Sequence, residues 1–201
     1  MTGELAEAHS LVEANLFVVV TPCPACGRGP LSAAGPPAAP TSITPANLTL
    51  EARCAKCSST KTFVFALPGR TGSRAIVRPT AINSEDSPSR IIDVAQWLTL
   101  AKMIGDAAAA ETDRIQARHL LIDVGQCLNE ALKFYDDEDN DLPPPGALFH
   151  DASRRRFRDH PEEFSRRRLL DARSRLPVAT ESEGAAAGCW GIARWFTEMT
   201  P

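Results

Sequence analysis

Pro22-Cys23-Pro24-Ala25-Cys26-Gly27 and Arg53-Cys54-Ala55-Lys56-Cys57 are the two stretches on which the reading of this chain turns. Each carries a Cys-x-x-Cys pair, and 27 residues intervene between Cys26 and Cys54. One such turn sets two sulfurs on one side of a metal ion, and a second turn supplies the other two. Cys23, Cys26, Cys54 and Cys57 therefore form the four-thiolate set expected around one structural Zn²⁺. Four protein ligands leave no open coordination position, so this zinc would not activate water or substrate.

Two other readings of the pairs compete with zinc. A redox-active Cys-x-x-Cys normally opens a helix beside a parallel sheet, and nothing after Cys26 or Cys57 reads as helical. Paired disulfides belong to oxidising compartments. The first fifteen residues carry Glu4, Glu7 and Glu13 without Lys or Arg, unlike the basic start of a secretory signal. No apolar run approaches the ~18 residues of a membrane span. The expectation is a cytoplasmic protein that meets no membrane.

The flanks of the pairs read as strands. Residues 16–20 (Leu-Phe-Val-Val-Val) are apolar and largely β-branched, which predicts a strand running into the first pair. Residues 47–53 alternate Leu48, Leu50 and Ala52 with polar neighbours, the period of a half-buried strand. Ser58-Ser59-Thr60 is a turn, and residues 61–67 are the return strand, ended by Pro68-Gly69. Residues 29–46, with Pro30, Pro36, Pro37, Pro40 and Pro45, read as a surface loop. Before all this, residues 3–13 place Leu5, Ala8 and Val12 roughly on one helical face.

This arrangement resembles the zinc-ribbon family over residues 16–67, about a third of the chain. The resemblance rests on the two cysteine stretches quoted above, and it implies a small β module organised around a structural zinc. Gly27 suits the left-handed backbone that follows a knuckle's second cysteine. Two features depart from the family pattern. The interval exceeds the roughly 15–20 residues usual for this spacing, and the 29–46 loop supplies the excess. Ser58 stands where the second knuckle would have glycine, which predicts a less regular turn there.

The rest of the chain is predicted to be helical. Ser87-Pro88 reads as an N-cap with proline at the first helical position. From there Ile91, Val94, Leu98, Ala101 and Ile104 or Gly105 keep helical spacing, with Ile92, Ala95 and Trp97 widening the face. A second pattern begins near Thr112-Asp113 and carries Ala117, Leu120 or Leu121, Val124, Cys127 or Leu128, Ala131 and Phe134 or Tyr135 on one stripe. Two helices of this kind joined by a short turn form an antiparallel hairpin. Cys127 is expected to be an inert core residue. Residues 136–141 hold five acids in six positions, and Pro143-Pro144-Pro145 forbids continuation of the helix. Residues 149–176 are helical again, interrupted at His160-Pro161, with Pro161 placed to open a new helix.

The fold class is accordingly α+β: a small N-terminal β zinc ribbon, an α-helical hairpin and further C-terminal helices. The expected division is a ribbon-like domain over 1–68, a connector with a short strand at 75–77 over 69–87, a helical domain over 88–178, and a tail over 179–201. That tail carries Cys189 and an aromatic patch at 190–196.

Several weaker patterns resolve to ordinary structure. Asp137-x-Asp139-x-Asp141 starts like a calcium loop but has Leu142 and Leu148 where glycine and glutamate are required. Gly69-Arg70-Thr71-Gly72-Ser73 lacks the Gly-Lys-Ser/Thr ending of a phosphate loop. Trp97-x-x-Leu100-Ala101 matches only the start of a tetratricopeptide repeat, and core packing accounts for Trp97. His9, His119, His150 and His160 form no local catalytic motif, and no catalytic residue is assigned.

Charge leaves one alternative open. The net charge of −3 gives no global attraction for nucleic acid. Residues 151–175, however, contain nine arginines against five acids, a local balance of +4. Arg154, Arg155, Arg156, Arg158, Arg166, Arg167 and Arg168 could neutralise phosphates. They could equally be the solvated face of helices whose apolar side is Phe157, Phe164, Leu169, Leu170 and Leu176, or dock on the acidic run at 136–141 or on an acidic partner protein. The sequence therefore favours a non-enzymatic zinc-binding adaptor with a protein partner. The alternative is a nucleic-acid-binding protein that uses the ribbon and the Arg-rich helices.

Overall fold

The computed structural model describes residues 6–33, 47–67, 82–83, 85–135 and 139–179. Its fold is α+β, with a four-stranded sheet in the N-terminal part and five α-helices among the described residues. The expected strand at 75–77, the acids at 136–138, Cys189 and the aromatic patch at 190–196 lie outside the described residues, as does most of the 29–46 loop.

The chain enters as a two-residue strand, β1 (Ala6–Glu7), and turns into helix α1 (Leu11–Val20). Strands β2 (Leu31–Ala33), β3 (Asn47–Cys54) and β4 (Thr60–Ala66) follow. The sheet order is β1-β4-β3-β2. β2, β3 and β4 are antiparallel neighbours, with Leu31 opposite Cys54 and Leu50 opposite Phe63, while β1 lies parallel to the far end of β4. β3 alternates exposed and buried positions along its whole length, as its sequence predicts.

Residues 11–20 are a helix, which corrects both expectations for this region: the helix over 3–13 and the strand over 16–20. Three forces decide it. Ser10 is the N-cap, its hydroxyl accepting from the Glu13 amide at 3.0 Å. Glu13, at the third helical position, reaches back to the His9 amide and its ring. Leu16, Val18 and Val19 are buried, and Phe17 packs edge-on against Phe63 and Phe65. Three consecutive valines cost a helix at most about 2 kcal/mol in propensity. Burying each large apolar side chain returns roughly 1.5–3 kcal/mol, so packing overrides the β preference.

Helix α2 (Val94–Ala110) and helix α3 (Arg114–Leu132) form the expected hairpin, joined at residues 111–113 and capped at the second start by Asp113. Trp97, Leu100 and Ile104 of the first helix and Cys127 and Ala131 of the second are fully buried. The first of these helices begins six residues later than Ser87-Pro88 suggests. Its cap is a reciprocal box in which Asp93 Oδ1 accepts the Gln96 amide and Gln96 Oε1 accepts the Asp93 amide. Asp93 is wholly buried, and its other oxygen accepts the amides of Phe149 and His150. One carboxylate thus fixes the start of α2 and the approach to helix α4 (Asp151–Asp159).

Pro161 opens a 3₁₀ turn (Pro161–Phe164) rather than an α-helix. Helix α5 (Arg166–Ser174) starts only after Ser165, whose hydroxyl accepts the Arg168 amide. Buried apolar side chains run in one cluster from Ala8 and Leu16 through Leu50 and Phe65 to Trp97, Leu128 and Leu169.

Candidate metal centre

The two Cys-x-x-Cys turns are built alike. In the first, the Gly27 amide donates to the Cys23 carbonyl at 2.7 Å and the Cys23 amide donates to the Arg28 carbonyl. In the second, the Ser58 amide donates to the Cys54 carbonyl at 3.0 Å and the Cys54 amide to the Ser59 carbonyl at 2.9 Å. Both put the residue after the second cysteine in the left-handed region, Gly27 at φ +67° and Ser58 at φ +58°. The serine knuckle is therefore as regular as the glycine one, contrary to expectation. It accepts a conformation that costs an L-residue roughly 1–2 kcal/mol.

β2 and β3 carry the two turns to one end of the sheet, where the Ala55 amide donates to the Pro30 carbonyl at 3.1 Å. There the four ligand atoms of Cys23, Cys26, Cys54 and Cys57 lie within 4.8 Å of one another. Across the two turns, Cys23 Sγ is 3.7 Å from Cys57 Sγ, and Cys26 Sγ is 3.8 Å from Cys54 Sγ. A tetrahedron of sulfurs at 2.3 Å from a central zinc has edges of about 3.8 Å. Cys23 and Cys54 are buried, Cys26 is half-buried and Cys57 is exposed. All four are free thiols.

The sulfur environment favours a cation. The Ser59 hydroxyl, followed by the Cys26 and Ala25 amides, brings the Cys23 thiol down to about 6 against the opposing effect of burial. Cys57 is lowered as well, first by the same hydroxyl and then by the Ser59 amide. The Arg28 amide pulls Cys26 down, yet burial and the neighbouring sulfurs of Cys57, Cys23 and Cys54 carry it up to about 11. Four thiols this close cannot all ionise without a counter-charge. A divalent ion at their centre removes that conflict.

Beyond the sulfurs, residues 21–33 and 52–62 contain no Asp or Glu but include Arg28, Arg53, Lys56 and Lys61, all exposed. Lys61 Nζ sits 6.0 Å above the Phe63 ring. The side chains of Arg28, Arg53 and Lys56 make no hydrogen bond or ion pair among the described residues. Zinc held by four thiolates carries two net negative charges, and this cationic surround complements it.

The arginines singled out in the C-terminal helices are not gathered into one free face. Arg154 binds Asp151 at 2.7 Å and the carbonyls of Leu148 and Phe149. Arg156 is held by Glu163, Thr99 and the Ala95 carbonyl. Arg168 donates to the Glu162 carbonyl, Arg173 to Asn129, and Arg175 to Asp171. The guanidinium groups of Arg155, Arg158, Arg166 and Arg167 make no such bond among the described residues. Part of the acidic run does meet this region. Asp141 accepts the Arg167 amide on its side chain and the Arg166 amide on its carbonyl, anchoring the start of α5.

One further constellation, absent from any local sequence pattern, is assembled by the fold. His9 Nδ1 lies 3.2 Å from the fully buried Glu13, and His9 Nε2 lies 3.4 Å from the Ser87 hydroxyl. The order is that of a nucleophile, a base and an orienting carboxylate. The Ser87 hydroxyl is also within 3.2 Å of Glu85 Oε2, however, and Pro88 has no N–H to stabilise an oxyanion. Ser10 donates to the Ile82 carbonyl, while Lys133 donates to Glu130 and to the carbonyls of Asn83 and Glu85. Together these groups clamp the segment before α2 onto α1 and α3.

Comparison with protein-family models, curated proteins and solved structures finds no match to this chain. Among the described residues no helix is long and apolar enough to cross a membrane. The functional reading rests on the chemistry of the cysteine cluster.

Proposed function

We propose that Cys23, Cys26, Cys54 and Cys57 hold one structural Zn²⁺ in a zinc-ribbon-like module, and that the protein is a non-enzymatic adaptor. The observation that carries this reading is the closed set of four sulfurs, two of whose cross-turn separations match the edges of a zinc tetrathiolate. When bound, the ion supplies cross-linking of the two knuckles and nothing that requires an open coordination position. The module departs from a plain ribbon in having α1 in front of the first knuckle and β1 added to the edge of β4.

The test is metal content with folding. Purified protein is expected to contain one zinc per chain, and Cys23→Ser combined with Cys54→Ser is expected to lose both the metal and the sheet. A protein free of stoichiometric zinc whose fold is indifferent to these substitutions would overturn the reading.

The nucleic-acid alternative keeps one supporting observation, the acid-free group of Arg28, Arg53, Lys56 and Lys61 at the metal-bearing end. In that case binding to single- or double-stranded oligonucleotides should fall steeply with salt. It should weaken on neutralising these four residues, and neutralising Arg154, Arg156 and Arg168, which the fold already engages, should matter less.

A further inference from the structure

Ser59 is the only hydroxyl among the described residues that reaches two of the four sulfurs, and those sulfurs belong to different knuckles. Its Oγ lies 3.0 Å from Cys57 Sγ and 3.3 Å from Cys23 Sγ. Its backbone is held as well, because its carbonyl accepts the Cys54 amide at 2.9 Å. The hydroxyl is thus fixed on the second knuckle and aimed across to the first. Knuckle geometry does not require this. The equivalent place in the first knuckle is Arg28, whose exposed side chain has no hydrogen bond to a sulfur.

The exposure of the ligands gives that hydroxyl a consequence. Cys23 and Cys54 are sealed, Cys26 is half-covered, and Cys57 faces solvent. Loss of a tetrahedrally bound ion begins where water or a competing ligand reaches a metal–sulfur bond, which here is Cys57. A hydroxyl proton directed at that thiolate holds it in its bonding position, as outer-shell donors do at other metal sites.

We infer that Ser59 is a positioning residue of the metal centre: its hydroxyl straps Cys57 to Cys23 across the two knuckles and governs how tightly and how long the ion is kept. This inference rests on the zinc reading above and adds to it a residue that contributes no ligand atom.

The experiment is chelator competition on the full chain loaded with Zn²⁺, measuring both the dissociation constant and the rate of metal transfer to the chelator. Ser59→Ala is expected to weaken zinc binding by about 10–100-fold, with most of the change in the rate of loss. Ser59→Thr, which keeps the hydroxyl, is expected to stay near wild type. Ser32→Ala serves as the control, because among the described residues Ser32 Oγ hydrogen-bonds the Arg53 carbonyl on β3 and no sulfur. Wild-type affinity and transfer rate in Ser59→Ala would overturn the inference and leave the four-cysteine site intact. An equal loss in Ser59→Thr and Ser59→Ala would also overturn it, since the hydroxyl would then not be responsible. Failure of the wild-type chain itself to bind zinc would instead refute the underlying metal reading. Should Ser59→Ala not fold, Ser59→Gly, which also lacks the hydroxyl, takes its place: faster loss of zinc than in Ser59→Thr supports the strap, and wild-type retention removes it.

Discussion

The metal-bearing end of the sheet and the α2–α3 hairpin stand at opposite extremes of how a fold is held. Around the cysteines, Ala25, Gly27, Arg28, Ala55, Lys56 and Ser58 are exposed, and burial is limited to Cys23, Cys54 and the adjoining strand residues Leu31 and Ala52. In the hairpin, Trp97, Leu100, Ile104, Cys127 and Ala131 are sealed from water. The two turns themselves bury little apolar surface beyond Leu31 and Ala52, and an ion would close them. The hairpin closes by the hydrophobic effect and needs none.

That contrast is most directly broken by removing the metal. Chelation, or Cys23→Ser with Cys54→Ser, is expected to remove on the order of 10 kcal/mol of binding free energy from the ribbon. The β signal in circular dichroism should disappear while most helical ellipticity survives. Simultaneous loss of the helices would show that the two regions share one fate.

The next largest effect tests the helical side. Asp93→Ala removes the α2 cap and the acceptor of the part-buried amides of Phe149 and His150. A destabilisation of about 2–4 kcal/mol in denaturant melts is expected, with zinc content unchanged. Loss of zinc in this variant would mean that the hairpin props up the metal site.

A smaller effect is readable from pH. Burial, opposed by the Lys133 ammonium, raises the Glu130 carboxyl above its ordinary value. A raised acid favours the folded state while it is protonated, so its contribution is present below the usual carboxylate range. It is lost as pH rises through the higher folded value. Glu130→Gln should flatten that part of the stability–pH curve, and an unchanged curve would show that Lys133 already compensates the charge. The smallest effect returns to the knuckles: Ser58→Gly relieves a left-handed serine and is expected to stabilise the zinc-loaded protein by about 0.5–1 kcal/mol. A destabilisation would mean that the serine side chain does more than occupy the turn.

Legibility of the fold from sequence followed the range of the forces involved. The four cysteines are a local chemical pattern, and the fold does bring them together. β3 and β4 were readable from alternation, and the hairpin from the spacing of Val94, Leu98, Ala101 and Ile104. Residues 16–20 misled because β-branched composition speaks for a strand. The signal against it, Ser10-x-x-Glu13, sits upstream of the valines, and the burial that settles the matter comes from Phe63 and Phe65, far along the chain. Asp93-x-x-Gln96 was likewise a visible capping box, overshadowed by Ser87-Pro88. Ser59 carried no sequence signal beyond a turn, since its importance depends on Cys23 arriving from 36 residues away.

The pairing of β1 with β4 bears on the order in which the protein comes together. Ala6 and Glu7 lie beside Phe65 and Ala66, and Glu7, His9 and Ser10 reach Arg90, Ser87 and Ile82. During synthesis the first ten residues emerge long before any of these partners exist. At roughly 5–20 residues per second, several seconds pass before β4 and the segment ahead of α2 leave the ribosome. β1, the first of the four strands to be made, therefore cannot be seated until β4, the last of them, has emerged.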